Sequence, residues 1–549
     1  MAQDQKPMSD MTTTGAKLLV DSLAAAGIDT IFGVPGEENT AVMQALEDSG
    51  ITFILTRHEQ AAAFMASVHG RLTGRPAGCL STLGPGATNL VTGVADAHLD
   101  GAPLVAITGQ GARARLSKSQ SHQVIDLGAL FAPVTKRSQT IMTADELPGA
   151  VAEAVRLSLQ PRPGAVHLSL PEDLANEQMT GRPVRPHDRF DLLPDPASVV
   201  AACDALNDAK APIIVAGAGV IRSDAARQVR DLAEKLNIPV VTSFMAKGIL
   251  PADHPLCLFS VGQPFDDHID DALKAADLVI AIGFDPIEYS PENLHLDDST
   301  QVIHVADVPA ASDVGWNVVQ DVQGSVSASL RGIVAGAAGR CFDDQPAMIM
   351  VRDALRAERD TVETDANDSV SRPEDILSRV EAQLDATDTV LSGVGLHKMK
   401  VARSLAAKRP GQIVIANGLA GMGMALPGAI AAARLPDAGH VLAICGDGDV
   451  LMNVQDMETA RRLGLKMTVM VWVDGGYGLI EAKQQDETGH HTDLKFCNVD
   501  WSSLAKAFDW DHIAVDTFGA LDSALSRARD AEKPVLMTLA VDYHERLRP

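Results

Sequence analysis

Two short segments combine carboxylates with glycines and have the residue types that bind a metal ion and a phosphate. The segment Gly-Asp-Gly-Asp at 446–449 follows the apolar run 440–445, and Asp-Gly-Gly-Tyr at 474–477 follows the apolar run 467–473. Carboxylate oxygens are the ligands that Mg²⁺ and Ca²⁺ prefer, and the backbone amides of glycine-rich turns bind anions such as a diphosphate. The two segments therefore predict a metal-bridged diphosphate site.

A β-loop-α-β unit would bring these two segments together. The 25 residues from Asp449 to Val473 leave room for one helix, predicted at 453–463, between two short apolar strands. Parallel strands joined by a right-handed crossover end at the same edge of a sheet, and ligands of open α/β sheets bind at that edge. Both carboxylate segments are therefore expected at one sheet edge.

Length, composition and charge indicate a multidomain globular chain. The 549 residues exceed what one hydrophobic core supports and predict about three domains. A hydrophobic content of 46% is ordinary for a globular protein, and no apolar run is long enough to predict a membrane span. A net charge of −26 argues against nucleic acid as a partner. That charge indicates either simple solubility or adaptation to a salty cytoplasm.

The cysteines and the N-terminal segment bear on the cellular location. The six cysteines are Cys79, Cys203, Cys257, Cys341, Cys445 and Cys497. They are scattered, without any C-x-x-C pair, which indicates reduced thiols. Residues 1–14 are polar and acidic and lack the basic and apolar regions of a signal peptide. The sequence therefore predicts a cytoplasmic protein.

The first third of the chain alternates predicted strands and helices. Strands are expected at 30–32, 51–55, 78–82 and 104–108, and each ends in a loop that contains glycine or polar residues. A helix is expected after each of the first three loops, and the alternation continues to about residue 174. This pattern predicts a doubly wound parallel sheet.

Two further β/α runs follow a proline-rich linker at 182–196. Their strands are expected at 213–217, 240–243, 278–283 and 302–305 in the middle run, and at 389–392, 413–416, 441–444, 468–473 and 535–539 in the last run. Gly217-x-Gly219 resembles half of a dinucleotide-binding fingerprint, but Arg222 stands at the third glycine position. The sequence therefore predicts no nucleotide there.

The fold class predicted from these runs is α/β, with three doubly wound parallel-sheet domains. The domain bounds are 12–185 for the first, 195–340 for the middle and 372–549 for the last domain. Residues 341–371 are interpreted as a connector, because the stretch is charged and helical and is expected to be solvated.

The motifs taken together resemble the thiamin diphosphate-dependent enzymes of the acetolactate synthase family. That family's cofactor motif is Gly-Asp-Gly followed, after a similar interval, by Asn-Asn. The other segments that carry the resemblance are Arg-His-Glu-Gln-Ala-Ala at 57–62, Gly-Pro-Gly-Ala-Thr-Asn at 84–89, Thr-Lys at 135–136, Val-Gly-Leu-His at 394–397 and Gly-Met-Gly at 421–423. They occur in the family in the same order, and the resemblance covers residues 12–539. It is closest to the FAD-independent, catabolic type.

The resemblance implies the roles of the three domains and the molecules that they bind. The domains would be a pyrimidine-binding, a middle and a diphosphate-binding domain. The cofactors would be thiamin diphosphate and Mg²⁺, and the substrate would be pyruvate. The protein would form a homodimer or a homotetramer with active sites between subunits, and it would have neither a nucleic acid nor a membrane as partner.

The same resemblance implies a metal site and a catalytic acid. Asp447 and Asp474 would bind Mg²⁺ through their side chains and Gly476 through its carbonyl group. The family's asparagine pair is Val473-Asp474 here, so a second carboxylate lies beside the diphosphate. Glu59 would hydrogen-bond N1′ of the aminopyrimidine ring and help the cofactor's own 4′-nitrogen act as a base. On its own, Glu59 would be read as an acid favoured at a helix N-terminus.

Further positions match the family's cofactor pocket. The cofactor-binding residues implied by the resemblance are Pro35, Gly84, Asn89, Gln110, Gly395, Leu396, His397, Ala420, Met422, Gly446, Asp447, Gly448, Asp449, Asp474, Gly476, Tyr477, Gly478, Leu479 and Ile480. Met422 would be the apolar residue over which the cofactor bends, and the carbonyl group of Ala420 would accept a hydrogen bond from the 4′-amino group. Without the other motifs, Met422 would be read as a core residue, and His397 as a capping or surface residue.

Matches on the substrate side are fewer. Gln123 and Lys136 are candidate catalytic residues that would hold a carboxylate or the second keto acid, and Ile480 would form an apolar wall. Lys483 stands where the branch that prefers 2-ketobutyrate has tryptophan, which favours two pyruvates. The segment 282–289 lacks the arginine-bearing sequence of the flavin-binding branch, which predicts that FAD is not bound.

The predicted activity is acetolactate synthesis from two molecules of pyruvate with loss of CO₂. The alternatives within the enzymes are a 2-oxo acid decarboxylase or carboligase and an acetyl transferase of the same family. A decarboxylase is disfavoured because no His-His pair follows the strands of the first domain. A regulatory or scaffold protein without activity is disfavoured because Glu59 and both metal carboxylates are present.

Overall fold

The structure is a computed structural model, and the chain in it forms two compact units, Met1–Arg189 and Phe190–Pro549. The residues that it describes are 11–118, 121–187, 192–262, 268–313, 315–337, 339–343, 345–360 and 364–543. The polar N-terminal residues 1–10 and part of the predicted linker, 188–191, lie outside the described residues. No helix in the described segments is both long and apolar enough to cross a membrane.

The first unit contains a six-stranded sheet and a two-stranded ribbon. Its strands are β1 (Met11–Thr14), β2 (Thr30–Gly33), β3 (Thr52–Leu55), β4 (Ala77–Ser81), β5 (Leu104–Gln110), β6 (Ser138–Thr140), β7 (Ala165–Pro171) and β8 (Gln178–Gly181). Its helices are α1 (Gly15–Ala25), α2 (Thr40–Glu47), α3 (Glu59–Thr73), α4 (Pro85–Leu99), α5 (Arg113–Leu116), α6 (Leu127–Phe131), α7 (Leu147–Leu159) and α8 (Glu172–Asn176). The sheet has the order β3-β2-β4-β5-β7-β6 with all neighbours parallel, and β1 pairs with β8 antiparallel.

Local sequence signals place two helix starts at the carboxyl edge of this sheet. His58 caps α3, because its Nδ1 accepts a hydrogen bond from the amide of Gln60 at 3.1 Å. Pro85 occupies the first position of α4, where a missing N–H leaves no helical bond unmade. The central strand β5 is buried along its whole length, which is typical of a parallel sheet covered on both faces. Both helices therefore begin where β3 and β4 end.

The middle sheet opens the second unit. Its strands are β9 (Pro212–Ala216), β10 (Val240–Thr242), β11 (Cys257–Ser260), β12 (Leu278–Ile282), β13 (Gln301–Ala306) and β14 (Asn317–Gln323). Its helices are α9 (Pro196–Asp208), α10 (Ala218–Arg222), α11 (Ala226–Leu236), α12 (His268–Ala275), α13 (Val326–Gly336) and α14 (Pro346–Asp360). The strand order is β11-β10-β9-β12-β13-β14, and all of these pairs are parallel.

The third sheet completes the second unit. Its strands are β15 (Val370–Ser371), β16 (Thr389–Ser392), β17 (Ile413–Ile415), β18 (Val441–Gly446), β19 (Thr468–Val473), β20 (Asp511–Val515) and β21 (Val535–Val541). Its helices are α15 (Pro373–Gln383), α16 (Leu396–Ser404), α17 (Ala425–Ala433), α18 (Asp447–Val450), α19 (Met457–Arg462), α20 (Gly478–Thr488), α21 (Trp501–Ala507) and α22 (Leu521–Arg529). The parallel order is β15-β21-β19-β18-β16-β17, with β20 also paired to β21.

The predicted fold class is confirmed, since the described residues form three parallel sheets with helices between their strands. Every strand expected from the sequence is present. The helix expected at 453–463 is shorter than predicted: a 3₁₀ segment, Leu451–Asp456, contains non-helical backbone at Asn453, and α19 follows it. The domain bounds given from the sequence stay a prediction.

The stretch interpreted as a solvated connector is only partly solvated. Its helix α14 packs on the middle sheet, and Met348, Val351 and Leu355 are buried in that sheet's core. Apolar residues three and four positions apart form one face of a helix. Burial of this face holds α14 against the sheet although charged residues surround it. Residues 361–363, which end the predicted helical stretch, lie outside the described residues.

Polar contacts join the middle and third sheets. The buried Lys247 amine donates to the carbonyl oxygen of Ala402 at 2.6 Å. The side-chain amide of Asn417 donates to the carbonyl oxygen of Glu288 at 2.6 Å. Phe244 of the middle part of the chain is buried in the core of the third sheet. The loop that begins at Asn417, which contains predicted cofactor residues, is therefore held from the middle sheet.

Candidate active site

In the first unit, Glu59 and Asn89 meet at the carboxyl edge of the sheet. Glu59 is the first residue of α3, and its Oε2 accepts a hydrogen bond from the side-chain amide of Asn89 on α4 at 3.0 Å. Its Oε1 lies so close to Gly86 that a Cβ on that glycine would be 3.2 Å away. The helix dipole favours an acid at this first position of α3, as expected from the sequence for Glu59 taken on its own. The bond from a second helix also fixes where the carboxylate points.

Gln123 and Gln110 lie at the same edge. A Cβ on Gly84 would be 2.9 Å from both the Cβ and the carbonyl oxygen of Gln123, and Gly84 has the positive φ of +54° that glycine adopts readily. The side-chain amide of Gln110 donates to the carbonyl oxygen of Ile125 at 3.0 Å. The loop that carries Gln123 is therefore packed on the start of α4, next to Glu59.

Pro35 belongs to this edge as well. It lies in the loop after β2, where a Cβ on Gly36 would be 2.5 Å from the Cβ of Thr82. The hydroxyl group of Thr82 donates to Glu38 at 2.8 Å, which ties the loop to the end of β4. The first unit thus brings Pro35, Gly84, Asn89, Gln110, Gln123 and Glu59 to the ends of four neighbouring strands, β3, β2, β4 and β5.

Lys136 lies at the opposite edge of this sheet from Glu59, and its assignment as a catalytic residue stays a prediction. Its backbone amide donates to the carbonyl oxygen of Ala165, the first residue of β7. Its amine donates to the carbonyl oxygens of Gln160 and Arg162 at 2.8 and 2.7 Å. Because all strands of this sheet run parallel, the start of β7 lies a full strand length from the edge that carries Glu59. The structure does not bring the two residues together.

In the second unit, Asp447 and Asp474 meet at the ends of adjacent strands. Asp447 follows β18 and is buried; its Oδ1 accepts from the amide of Gly448 at 2.8 Å and its Oδ2 from the amide of Gly475 at 2.9 Å. Burial raises the pKa of Asp447, against these two hydrogen bonds, which lower it. Burial first, and the neighbouring Asp447 second, raise the pKa of Asp474 to about 6. Two carboxylates that repel each other in a desolvated place form a site for a cation.

The described residues contain no cluster of three His, Cys, Asp or Glu side chains with metal-ligand geometry. A metal ion held here would therefore need oxygens from elsewhere, such as the carbonyl group of Gly476 and the ligand's own phosphates. Gly476 lies two residues after Asp474, in the same turn. This donor set of two carboxylates, a carbonyl group and open positions fits Mg²⁺ bound together with phosphate oxygens.

Asp449 fastens two loops at this edge. Its Oδ1 accepts hydrogen bonds from the amides of Gly423 at 2.8 Å and Val394 at 3.2 Å. A Cβ on Gly393 would lie 1.8 Å from its Oδ2, so the loop approaches Asp449 as closely as only glycine permits. Burial raises the pKa of Asp449 to about 6, although both amide bonds lower it. Asp449 thus positions the segments around 394 and 423.

His397 offers the site an unused nitrogen. It lies in the first turn of α16 and is buried, and its ring is next to Gly395 and Gly446. Burial lowers the pKa of His397 to about 3, so the imidazole is neutral. Its Nε2 has no hydrogen-bond partner among the described residues. A phosphate oxygen beside Nε2 would satisfy that nitrogen when it carries the proton, as buried polar atoms require.

The loop with Ala420 and Met422 is held in an unusual backbone conformation. Ala420 has a φ of +54°, which costs a residue with a side chain about 1–3 kcal/mol. Both backbone groups of Gly423 are bonded, its amide by Asp449 and its carbonyl oxygen by the Asn453 side chain at 2.9 Å. Met422, which lies between Ala420 and Gly423 in the chain, is half-buried. A backbone held in strain points to a carbonyl or side chain with a fixed task.

Tyr477 and its neighbours form the start of α20, beside the carboxylates. The ring of Tyr477 packs edge-on against Phe496, with centroids 5.4 Å apart, and both rings lie next to Gly448. A Cβ on Gly478 would be 2.8 Å from Leu396, so α20 begins against α16. The side chains of Leu479 and Ile480 are exposed. This helix thus offers apolar surface next to the metal-type site.

Several residues with a part in this geometry are not evident from the motifs. Asn453 follows Asp449 by four positions, and this nearness to the carboxylate segment is a signal that could have pointed to it. Asn417 and Lys495 carry no such signal, because their partners lie on other elements or far along the chain. The last of these, Lys495, pairs with Gly476 in an isolated antiparallel bridge.

Paired carboxylates, a buried neutral histidine and a strained loop lie at the carboxyl edge of a parallel sheet, an arrangement that suits a diphosphate cofactor held through a divalent cation. Comparison with known families agrees. The profile "Thiamine pyrophosphate enzyme, N-terminal TPP binding domain" matches residues 13–130, the "central domain" profile of the same family matches 199–333, and "C-terminal TPP binding domain" matches 393–539.

Full-length relatives point the same way. The chain is 32% identical to "Acetolactate synthase" of Bacillus subtilis (strain 168), over 97% of this chain and 94% of the relative. It is 32% identical to "Acetolactate synthase, catabolic" of Raoultella terrigena, over 97% and 95%. It is 30% identical to "Probable acetolactate synthase large subunit" of Methanocaldococcus jannaschii, over 97% and 93%. The chain belongs to the acetolactate synthase family of thiamine pyrophosphate enzymes, which confirms the predicted family.

Proposed function

We propose that this protein is an acetolactate synthase that converts two molecules of pyruvate to 2-acetolactate and CO₂. The observation that carries the proposal is the pair Asp447 and Asp474 at the ends of β18 and β19, in a chain of this family. Bound thiamin diphosphate supplies the nucleophilic carbon and the electron sink for decarboxylation of a 2-oxo acid.

The carboxylate pair and the residues around it would hold the cofactor's diphosphate. Asp447, Asp474 and the carbonyl group of Gly476 would bind Mg²⁺, and Nε2 of His397 would face a phosphate oxygen. The amides at the start of α16, at Leu396 and beyond, add donors and the positive end of the helix dipole. Asp449 would act by holding the loops in place, because its Oδ1 is already bonded to two amides.

Glu59 would be the catalytic acid. Asn89 holds its Oε2, and the proposed task of the carboxyl group is to exchange a proton at N1′ of the aminopyrimidine ring. In the second unit, the carbonyl group of Ala420 would accept a hydrogen bond from the 4′-amino group, and Met422 would support the bent conformation of the cofactor. The strained backbone at Ala420 supports a fixed carbonyl direction.

The substrate pocket is proposed from fewer residues. Gln123 would bind a carboxylate or the second keto acid, and Ile480 would provide an apolar wall that keeps water from the reacting carbons. Lys483 at the specificity position is exposed and paired with Glu487 at 3.6 Å, so it adds no bulky ring there. The absence of tryptophan at position 483 favours pyruvate over 2-ketobutyrate as the acceptor in this proposal.

We further propose that the protein works without FAD. The glycine loop after β9, where a Rossmann-type sheet would hold a dinucleotide's phosphates, has its amides engaged within the chain. The amide of Gly217 donates to Ile282 and that of Gly219 to Gly283, at 2.9 and 2.8 Å. The amide of Ala218 donates to both carboxylate oxygens of the buried Glu288.

The assembly and location also remain proposals. The relative from Methanocaldococcus jannaschii carries "large subunit" in its name. We propose a homodimer or homotetramer with active sites between subunits, as the resemblance to this family implies. All six cysteines are free, which accords with a reduced, cytoplasmic setting.

The test is product analysis. The purified protein is incubated with pyruvate, thiamin diphosphate and Mg²⁺ and without FAD, and acetolactate, acetaldehyde and acetyl phosphate are assayed, the last with phosphate added. Acetolactate as the main product, lost when Mg²⁺ is chelated, supports the proposal. Acetaldehyde as the main product would show a decarboxylase, and phosphate-dependent acetyl phosphate would show an acetyl transferase.

A further inference from the structure

Lys495 lies across the turn that carries the proposed metal ligands. A single antiparallel bridge pairs it with Gly476. Tyr477 donates its amide to the carbonyl oxygen of Leu494 at 3.2 Å, and Phe496 donates its amide to that of Gly475 at 3.2 Å. The segment around Lys495 is thereby fixed on the loop 474–477.

The lysine side chain runs directly over Gly476. A Cβ on that glycine would lie 3.0 Å from Cδ and 3.5 Å from Nζ of Lys495. The ammonium group pairs with Glu481 on α20 at 2.8 Å. The bond to Glu481 is the main cause that raises the pKa of Lys495, and the charges of Asp474 and Asp447 raise it further. Lys495 in turn counters the rise in the pKa of Asp474.

Charge makes such a lysine useful at this place. An asparagine at 474 would give a metal ion an oxygen without a charge, whereas Asp474 adds a negative charge beside the phosphates. A nearby cation reduces that repulsion. Lys495 also pairs with Glu481, so its charge offsets that of Asp474 in part and reduces the negative charge around the proposed metal ligands.

We propose that Lys495 is a positioning residue of the cofactor site, whose ammonium group offsets the charge of Asp474 and holds the 474–477 loop for a metal-bound diphosphate. The inference rests on the proposed function, because it concerns the affinity of that site for its cofactor. It predicts that the contribution of Lys495 depends on the carboxylate at 474 rather than on the ion pair with Glu481.

The experiment measures cofactor binding without turnover. Thiamin diphosphate is titrated in saturating Mg²⁺ and without pyruvate, and Kd is obtained from quenching of protein fluorescence. The variants are Lys495→Gln, Lys495→Arg, Asp474→Asn and the double variant Asp474→Asn/Lys495→Gln. The control is Lys466→Gln, which removes an equally exposed lysine (57% against 53%) that is also paired with a glutamate, at the other end of β19.

We expect Lys495→Gln to raise Kd about two- to fivefold, as befits a half-exposed charge, and Lys495→Arg and Lys466→Gln to leave it unchanged. In the Asp474→Asn background, Lys495→Gln should raise Kd less than it does in the wild type. The difference between the wild type and Lys495→Gln should shrink in high KCl, because salt screens the interaction.

Two results would overturn the inference: a Kd for Lys495→Gln equal to that of Lys466→Gln, or the same loss of affinity with asparagine at 474 as with aspartate. The second would show that Lys495 acts through Glu481 alone. A wild-type protein that binds no thiamin diphosphate in the presence of Mg²⁺ contradicts the proposed function itself, and the inference falls with it.

Discussion

At the scale of single residues, carboxyl groups are wholly or partly buried at the place where binding of a cation would require their negative charge. Asp447, Asp449 and Asp474 all have raised pKa values because burial disfavours their charged forms. Glu59 is instead the first residue of a helix and is held by Asn89. The proposed tasks of the two sheet edges thus differ, since the Asp447 edge would attract a cation and the Glu59 edge would exchange a proton.

Replacing Glu59 tests the proton exchange. Glu59→Gln keeps the shape and a hydrogen bond but removes the acid, so turnover of pyruvate should fall about 100-fold or more. Thiamin diphosphate should still bind, as fluorescence quenching would show. Glu47→Gln, an exposed glutamate at the end of α2, serves as the control and should be as active as the wild type. Turnover that persists in Glu59→Gln would contradict the role given to this residue.

The pH dependence of metal binding tests the carboxylate pair. The pKa of Asp474 is raised from its ordinary value of 3.8 to about 6 in the metal-free fold. The folded state therefore binds the proton more tightly than the unfolded state, so this group's contribution to stability is largest below about pH 4 and is lost as pH rises through about 6. Metal binding requires the ionised form and should thus stabilise the protein more at high pH.

The measurement is the change in Tm on adding Mg²⁺ and thiamin diphosphate, at about pH 7.5 and about pH 5.5. We expect the larger increase at the higher pH. Asp474→Asn should show a smaller difference between the two pH values, since an amide does not titrate. An increase in Tm that is the same at both pH values in the wild type would show that Asp474 is not a ligand.

At the scale of elements, the site is made by strand ends and by loops that those ends hold. Asp449, directly after β18, bonds amides of two different loops, and Asn453 adds a bond to the second loop. Neither Asp449 nor Asn453 has to contact a ligand directly. Their effect is to fix the direction of the backbone groups that would.

Gly393→Ala tests how tightly this arrangement is packed. The new Cβ would lie 1.8 Å from Oδ2 of Asp449, and a buried carboxylate bonded on its other oxygen has little room to move. We expect a loss of about 1–3 kcal/mol in the free energy of unfolding and a weaker affinity for thiamin diphosphate. Gly149→Ala in α7, where an added Cβ meets nothing within 4 Å, should be neutral or slightly stabilising. Equal stability of the two variants in urea unfolding would contradict the packing argument.

Sequence patterns predicted elements well where the signal is local. Strands with a continuous apolar run, such as β9 and β12, were expected within a residue or so of their observed ends. The edge strand β14 has alternating polar residues and only one buried position, so no apolar run indicated it. The charged residues of α14 outnumber its three buried apolar residues, so the sequence predicts a solvated stretch where the structure has a packed helix.

The site shows the same division between local and distant information. Both carboxylates of the proposed metal site follow apolar strands, so their meeting could be predicted from parallel pairing. Lys136 could not be placed, because the sequence does not tell which edge of a sheet a residue near a strand reaches. Lys495 depends on a single bridge between residues far apart along the chain.

At the scale of the whole molecule, the net charge of −26 is a property that no single site explains. Like charges spread over a folded surface repel one another and destabilise the compact state, and salt screens this repulsion. We therefore expect Tm to rise when KCl is increased from about 0.1 M to about 1 M near pH 7.5. The rise should be smaller near pH 5.5, close to the sequence pI of about 4.9. A Tm that falls with KCl at pH 7.5 would show that ion pairs, rather than repulsion, dominate.

The two bonds that Asp449 makes have a consequence for the order of folding. The loops near 394 and 423 are far apart along the chain and become fastened only when β18 has taken its place between β16 and β19. Because Oδ1 of Asp449 bonds both loops, neither loop can reach its final conformation in a chain that ends before residue 449. During synthesis or refolding, the capacity to bind cofactor should therefore appear only after β18 has joined the sheet.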